Sequence, residues 1–114
     1  MQRDDAATLL DILRAARLAL EFRGRTDRTS FLADLKTQAA VLHELLVLGE
    51  AAKRLSTRFR EEHPDVPWKA IAGMRDRLLH GYDSVDLELV WKTVDEDLPA
   101  LITRLEGLAP RREP

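Results

Sequence analysis

The chain has no cysteine among its 114 residues. This absence excludes a disulfide framework, a thiolate nucleophile and a cysteine-ligated zinc site, and it is typical of a protein of the reducing cytoplasm. The start of the sequence, MQRDDAATLL, lacks the basic and apolar segments of a signal peptide. The most apolar stretch, AAVLHELLVLG, contains His43 and Glu44 and is far shorter than a membrane span. We therefore expect a cytoplasmic protein that does not associate with membranes.

Histidine is also scarce, and the three residues, at positions 43, 63 and 80, are too scattered to predict a metal site. His43 begins the segment HELLV, but Val47 stands where a helical zinc-protease motif has its second histidine. The five glycines form no phosphate-binding loop. We therefore expect neither a metal nor a cofactor.

The charge is close to balanced, with 18 lysines and arginines against 20 aspartates and glutamates and a formal net charge of −2. Proteins that bind nucleic acid over a broad surface are usually basic, so this balance argues against such a surface. It still permits a local basic pocket, because the cations can be clustered.

Apolar residues recur at steps of three and four along almost the whole chain, which is the pattern of amphipathic helices. A first helix is predicted around residues 9–20. The polar segment RGRTDRTS then interrupts the pattern, and Ser30 is predicted to cap a second helix over about residues 31–55. Leu35 is placed on the buried face of that helix, which should lie deep in the core.

Two further helices are predicted in the second half. Pro67 suits the first turn of a helix that runs to Leu78, with Gly81 as a left-handed C-cap. The last helix covers about residues 87–108, and Pro99 should kink or break it near residues 95–98.

A short helical turn is also predicted after Ser56, and no segment alternates with period two for long enough to predict a strand. The predicted fold is therefore all-α, a bundle of four main helices with short helical turns. It forms one domain over residues 1–110, and residues 111–114 form a frayed tail.

The segment MRDRLLHGYDSVDLELVW, residues 74–91, contains Arg75, His80 and the single tyrosine, Tyr82. On an ideal helix, a separation of five residues directs two side chains about 140° apart. Arg75 and His80 can therefore act on one substrate only if the helix ends between them or if two copies of the chain face each other. The second alternative predicts a symmetric homodimer. On a continuous helix, Asp76 is four residues from His80 and can orient the imidazole.

A structural interpretation of the same residues is open. A histidine followed by glycine is favoured at a helix C-terminus by the helix dipole and by C-capping alone. The ring of Tyr82 can likewise pack against the bundle and expose only its hydroxyl. The residues alone do not decide between a capped helix end and a reactive site.

The chain resembles the HepT-like toxins of the HEPN superfamily, which are small all-α ribonucleases paired with a nucleotidyltransferase antitoxin, MntA. The resemblance covers nearly the whole chain. Its most specific part is WKAIAGMRDRLLHGYDSVDLELVW, which carries the family's Arg-x4-His-x-Tyr signature as Arg75, His80 and Tyr82. The segments LGEAAKRLS and HPDVPW also look like the family's pattern. Many members have asparagine after the motif arginine, whereas this chain has Asp76.

The resemblance implies a metal-independent endoribonuclease, the toxin of a type VII toxin–antitoxin system. His80 would act as acid or base, Arg75 would hold the scissile phosphate, and Asp76 and Arg77 would support them. The product would carry a 2′,3′-cyclic phosphate. An MntA-like nucleotidyltransferase antitoxin would add AMP to Tyr82 and so silence the nuclease.

The resemblance leaves a second function open, because some relatives look like binding partners of nucleotidyltransferases rather than nucleases. In that interpretation the chain is a non-catalytic subunit that binds a nucleotide or a substrate. The motif would then hold a nucleotide phosphate or serve only as the site of modification by the nucleotidyltransferase. The identity of any RNA substrate is not encoded in the motif.

Overall fold

The computed structural model describes residues 2–80 and 84–109. In these ranges the helices are α1 (Arg3–Arg23), α2 (Arg28–Leu32), α3 (Leu35–Lys53), α4 (Thr57–Glu62), α5 (Trp68–Ala72), α6 (Met74–Leu78), α7 (Leu87–Lys92) and α8 (Leu98–Leu108). A π-helical turn, Thr93–Asp97, joins α7 to α8. The predicted all-α fold class is confirmed. The predicted tail, residues 111–114, lies outside the described residues.

One small sheet was not predicted. Strands β1 (Leu79–His80) and β2 (Ser84–Val85) pair in antiparallel fashion, with Leu79 opposite Val85 and His80 opposite Ser84. Two-residue strands are too short to produce a recognisable alternation in the sequence.

Helices α1 and α3 pack along each other and form the centre of the bundle, and α5, α6 and α8 pack around this pair. The predicted first helix is confirmed, and its apolar stripe is buried, as at Leu9 and Ile12.

Among the described residues, no helix combines the length and the apolar character needed to cross a lipid bilayer.

The predicted helix over residues 31–55 is two helices, and the prediction of Ser30 as its cap is wrong. Ser30 lies within α2, where its N–H donates to the carboxylate of Asp27, the N-cap of that helix. Asp34 ends this turn and starts α3 by accepting hydrogen bonds from the N–H and the hydroxyl of Thr37, at 3.1 and 2.6 Å. Two aspartates, as N-caps of α2 and α3, thus set the helix starts where one serine was predicted to cap a single helix.

The prediction that Leu35 is buried is also wrong, because 81% of this residue is exposed. The face of α3 that contacts the core runs through Val41, Leu45 and Leu48. Continued back by one turn, that face reaches Gln38, whose amide donates to the carbonyl of Phe31 at 2.9 Å. Leu35, at the first turn, points away from it.

The helical turn predicted after Ser56 is confirmed as α4. The Ser56 hydroxyl accepts from the N–H of Phe59 at 3.1 Å, and it also donates to the buried carboxylate of Asp5 at 2.7 Å. The helix predicted from Pro67 to Leu78 exists but is divided at Gly73 into α5 and α6, and Pro67 is its N-cap residue.

The last helix is distorted where Pro99 was expected to disturb it, but the chain does not break. Instead the Leu98 N–H bonds the carbonyl of Thr93, five residues back, in a π-helical turn. Proline has no N–H, and its ring crowds the carbonyl four residues earlier, so a wider turn accommodates it. The Thr93 hydroxyl donates to the Leu89 carbonyl at 2.7 Å and adds to the distortion.

A close contact between α3 and the α5–α6 pair fixes the position of α6. A Cβ atom added to Gly49 would lie 3.0 Å from the Cβ of Met74 and 3.1 Å from the carbonyl oxygen of Ile71. Only glycine allows the two backbones to approach this closely without displacement. Helix α6 is thereby held close against α3.

Candidate functional site

Helix α6 has three charged, exposed side chains between two buried apolar residues. Met74 and Leu78 are buried and anchor the helix in the core, at 3% and 0% exposure. Between them, Arg75, Asp76 and Arg77 are exposed. Within the described residues, neither arginine takes part in an ion pair. Two guanidinium groups are therefore presented to solvent on one short helix.

Helix α6 ends between Arg75 and His80. Leu79 still donates its N–H to the carbonyl of Arg75, but its own backbone is extended, with φ −109° and ψ 129°. The next hydrogen bonds belong to the hairpin, because the carbonyl of Leu78 accepts from the N–H of Asp86 at 2.8 Å. Of the two alternatives raised by the five-residue spacing, the structure shows the first, and a second chain is not needed to explain it.

Two predictions about this helix end are wrong for the same reason. Gly81 does not cap α6, since Leu79 is the C-cap residue. Asp76 and His80 do not lie on one helix face, since the helix has ended before His80. Gly81 itself and the predicted modification site, Tyr82, lie outside the described residues.

The carboxylate beside His80 belongs to Asp86. Its Oδ2 lies 3.5 Å from Nε2 of the imidazole, and the side chains of His80 and Asp86 are 57% and 37% exposed. The other oxygen, Oδ1, accepts from the N–H of Leu89 at 3.1 Å and caps α7. Asp86 was not predicted from the sequence as a site residue. An aspartate directly before the largely apolar segment LELVW indicates a helix cap, but nothing in the spacing indicates that the hairpin brings it to His80.

A groove beside the hairpin is acidic. This groove of about 600 Å³ is lined by Arg28, Asp86, Glu88, Leu89, Trp91, Lys92, Asp95 and Glu96. Its four carboxylates outnumber its two cations, and Arg28 is already paired with Glu88. The excess of negative charge therefore disfavours an anionic ligand within this groove.

An apolar groove borders the same hairpin. It has a volume of about 450 Å³ and is lined by Leu35, Gln38, Ala39, Leu42, Ser84, Val85 and Leu87. Leu35, which is 81% exposed, is one of its apolar members.

In the described part of the chain, no group of three or more histidine, aspartate and glutamate side chains is placed to hold a metal ion.

Residues 12–108 match the family model described as Ribonuclease HepT-like. A Thermococcus cleftensis protein named "Probable ribonuclease HepT" is 43% identical over 108 residues, 95% of this chain and 98% of that protein. A Methanocaldococcus jannaschii protein named "Putative RNase MJ1380" is 38% identical over 105 residues, 92% and 96% of the two chains. A Caldanaerobacter subterraneus protein named "Putative RNase TTE0752" is 44% identical over 83 residues, 73% and 74% of the two chains. No solved structure matches the sequence significantly.

The family match includes α6, the hairpin and α7, and thus the whole segment that carries Arg75, His80 and Asp86. The resemblance inferred from the Arg-x4-His-x-Tyr signature is confirmed at the level of the family. The chain belongs to the HepT-like ribonuclease family.

Proposed function

We propose that the chain is a metal-independent endoribonuclease and the toxin of a type VII toxin–antitoxin system. The observation that carries this proposal is the junction of α6 and β1, which exposes Arg75 and His80 on either side of a helix end in a member of this family. The ribonuclease names of the relatives support the same activity.

The proposed reaction uses the ribose as its own nucleophile. The imidazole of His80 accepts the proton of a 2′-OH, and the oxygen attacks the adjacent phosphorus. A bond forms between the 2′ oxygen and phosphorus, the bond from phosphorus to the 5′ oxygen breaks, and the leaving oxygen takes up a proton. The products are a 2′,3′-cyclic phosphate and a 5′-hydroxyl. DNA has no 2′-OH and should be inert.

The arginines of α6 supply the charge for this reaction. Arg75 is permanently cationic and can donate two N–H bonds to the phosphate, which stabilises the charge that develops on its oxygens. Arg77 is proposed to add a second cation on the same helix. Asp76 stands between them in the chain and is proposed as a supporting residue.

We further propose that the toxin is a homodimer whose interface includes α6 and the hairpin. The support is the apolar groove of about 450 Å³ that begins at Leu35 and ends at β2, directly beside the strand that carries His80. A second copy of the chain would cover Leu35 and bring two motifs together.

An MntA-like nucleotidyltransferase is proposed as the antitoxin, and Tyr82 as the residue to which it adds AMP. Tyr82 is two residues beyond His80 in the sequence. An anionic phosphodiester there could pair with the exposed Arg75 or Arg77 and occupy the place of a substrate phosphate. Co-expression with a cognate nucleotidyltransferase should add one or more AMP units at Tyr82. Tyr82→Phe should fold and escape this neutralisation, and mass spectrometry of protected cells that shows an unmodified Tyr82 would contradict the proposal.

RNA cleavage by the purified chain in the presence of EDTA tests the enzymatic proposal. The wild-type protein should cleave RNA and should leave single-stranded DNA intact, whereas His80→Ala and Arg75→Ala should cleave RNA at least about 10²-fold more slowly. His43→Ala and Arg58→Ala are matched controls, since both side chains are well exposed, at 72% and 79%, and lie outside the motif. A wild-type protein that binds nucleotides but cleaves no RNA would favour the non-catalytic binding subunit.

A further inference from the structure

Three hydrogen bonds fix the position of Asp86. Its N–H donates to the carbonyl of Leu78 at 2.8 Å, and its own carbonyl accepts from Val90 at 2.9 Å. Its Oδ1 accepts from the N–H of Leu89. The remaining acceptor atom of Asp86, Oδ2, lies 3.5 Å from Nε2 of His80.

The other capping aspartates are used differently. Both carboxylate oxygens of Asp34 accept hydrogen bonds from Thr37, in the helix that Asp34 caps. Asp27 accepts a hydrogen bond from Ser30, also in the helix that it caps. Only Asp86, among these three caps, directs its second oxygen at a side chain of another element. Helix capping alone therefore does not account for the placement of Asp86.

We propose that Asp86 is a positioning residue that holds the neutral His80 ring in the tautomer with its proton on Nε2, so that Nδ1 is the nitrogen that receives the 2′-OH proton. A carboxylate can only accept a hydrogen bond, and a neutral imidazole has one N–H to donate. For this contact to be a hydrogen bond, the nitrogen that faces Asp86 carries the proton, and Nδ1 keeps its lone pair. The assignment of Nδ1 to the base rests on the proposed function, whereas the tautomer does not.

The contact also has a role after proton transfer. The ring is then an imidazolium, both nitrogens are donors, and the carboxylate stabilises the new charge without taking the proton. The separation of 3.5 Å is long for a charge-assisted bond, and such contacts often shorten when substrate binds. Because both side chains are more than a third exposed, the pair contributes little to folding. Its effect is on ring orientation and tautomer.

Asp86→Asn separates the two roles of the residue. Asparagine is also a good N-cap, so its amide oxygen can replace Oδ1 at Leu89. The amide nitrogen is then left facing Nε2 of His80, and it can only donate. The substitution should therefore keep α7 and favour the opposite tautomer, with the proton on Nδ1. Asp34→Asn is the matched control, because it makes the same change at a cap that contacts no histidine.

Nuclear magnetic resonance of the ring nitrogens measures the tautomer directly, at about pH 8.5, well above the ordinary imidazole pKa of about 6.5. We expect the Nε2-protonated form of His80 in the wild type and in Asp34→Asn, and a shift toward the Nδ1-protonated form in Asp86→Asn. The rings of His43 and His63 should not change. In RNA cleavage, kcat of Asp86→Asn should fall about 10²-fold, with KM and melting temperature little altered.

An Nδ1-protonated His80 in the wild type, or the same tautomer in the wild type and in Asp86→Asn, would overturn the proposal. Failure of the proposed function would give a different result, namely that His80→Ala cleaves RNA as well as the wild type does. The ring spectra decide the role of Asp86 in either case, since they do not depend on activity.

Discussion

Arg75 and His80 are both exposed, and neither side chain takes part in the buried core. Exposed substitutions of this kind usually change the free energy of unfolding by less than about 0.5 kcal/mol. We therefore expect Arg75→Ala and His80→Ala to unfold at nearly the wild-type temperature. Cleavage should fall by about 10²–10³-fold for the arginine and about 10²–10⁴-fold for the histidine.

Thermal denaturation by circular dichroism, beside the cleavage assay, checks this prediction. Variants that lose activity only because they unfold would indicate that the motif is a capped helix end. A variant that keeps full activity would remove that residue from the catalytic assignment.

A second residue-scale prediction concerns the cap of α3. The hydrogen bond from the Thr37 hydroxyl, followed by that from the Thr37 N–H, lowers the pKa of Asp34 below its ordinary value of 3.8. The folded pKa is depressed, so the unfolded state binds more protons in this range. The contribution of Asp34 to stability is thus fully present above pH 3.8 and is lost as the pH falls through the lowered folded value.

Urea denaturation between pH 6 and pH 2.5 should show this loss in the wild type and a smaller loss in Asp34→Asn, which caps without a charge. Equal pH dependence in the two proteins would show that the Asp34 carboxylate does not contribute as described.

Single residues show how far the sequence determines the site. The family signature predicts that Arg75 and His80 share one site, because it names both. It cannot place Asp86, because that contact depends on a hairpin whose strands are only two residues long. Asp76 has the correct spacing for an orienting carboxylate only on a continuous helix, and the helix does not continue.

Helix packing gives the clearest prediction at the scale of elements. At Gly49 the contact of α3 with α5 and α6 is too tight for a methyl group unless its neighbours shift, because the added Cβ would lie 3.0 Å from the Met74 Cβ and 3.1 Å from the Ile71 carbonyl oxygen. Gly49→Ala should therefore destabilise the protein by about 1–3 kcal/mol, although alanine is the better helix former. Cleavage should fall as well, since α6 carries Arg75.

Gly107→Ala is the matched control, because nothing lies within 4 Å of an added Cβ at that position in α8. It should stabilise the protein by up to about 1 kcal/mol. Equal melting temperatures for the two alanine variants would show that the packing at Gly49 is looser than described.

The elements also show why helix boundaries are harder to predict than helices. The steps of three and four residues locate α1, α3 and α8 because these helices bury one continuous face. The boundaries depend on competition between neighbouring caps, and Asp27 and Asp34 prevail over Ser30. The division at Gly73 and the π-helical turn before Pro99 arise from local backbone geometry, which apolar periodicity does not report.

The exposed apolar groove gives a prediction at the scale of the whole molecule. If a second copy of the chain covers it, Leu35→Glu should place a charge in the interface and weaken the dimer. Leu10→Glu is the control, since Leu10 is also an exposed leucine, at 44%, and lies outside the groove. Sedimentation velocity at several concentrations should show a dimer for the wild type and for the control, and a larger monomer fraction for Leu35→Glu. A monomeric wild type at all working concentrations would exclude the dimer.

The end groups of the RNA fragments test most directly the central claim that His80 activates the ribose 2′-OH toward the adjacent phosphorus. A defined RNA is incubated with the purified chain in EDTA, and the fragments are analysed by mass spectrometry. We expect 2′,3′-cyclic phosphate and 5′-hydroxyl ends from the wild type and from His43→Ala, at least about 10²-fold fewer from His80→Ala, and no cleavage of the same RNA with every 2′-OH methylated. Fragments with 5′-phosphate ends, cleavage of the methylated RNA, or undiminished cleavage by His80→Ala would contradict the claim.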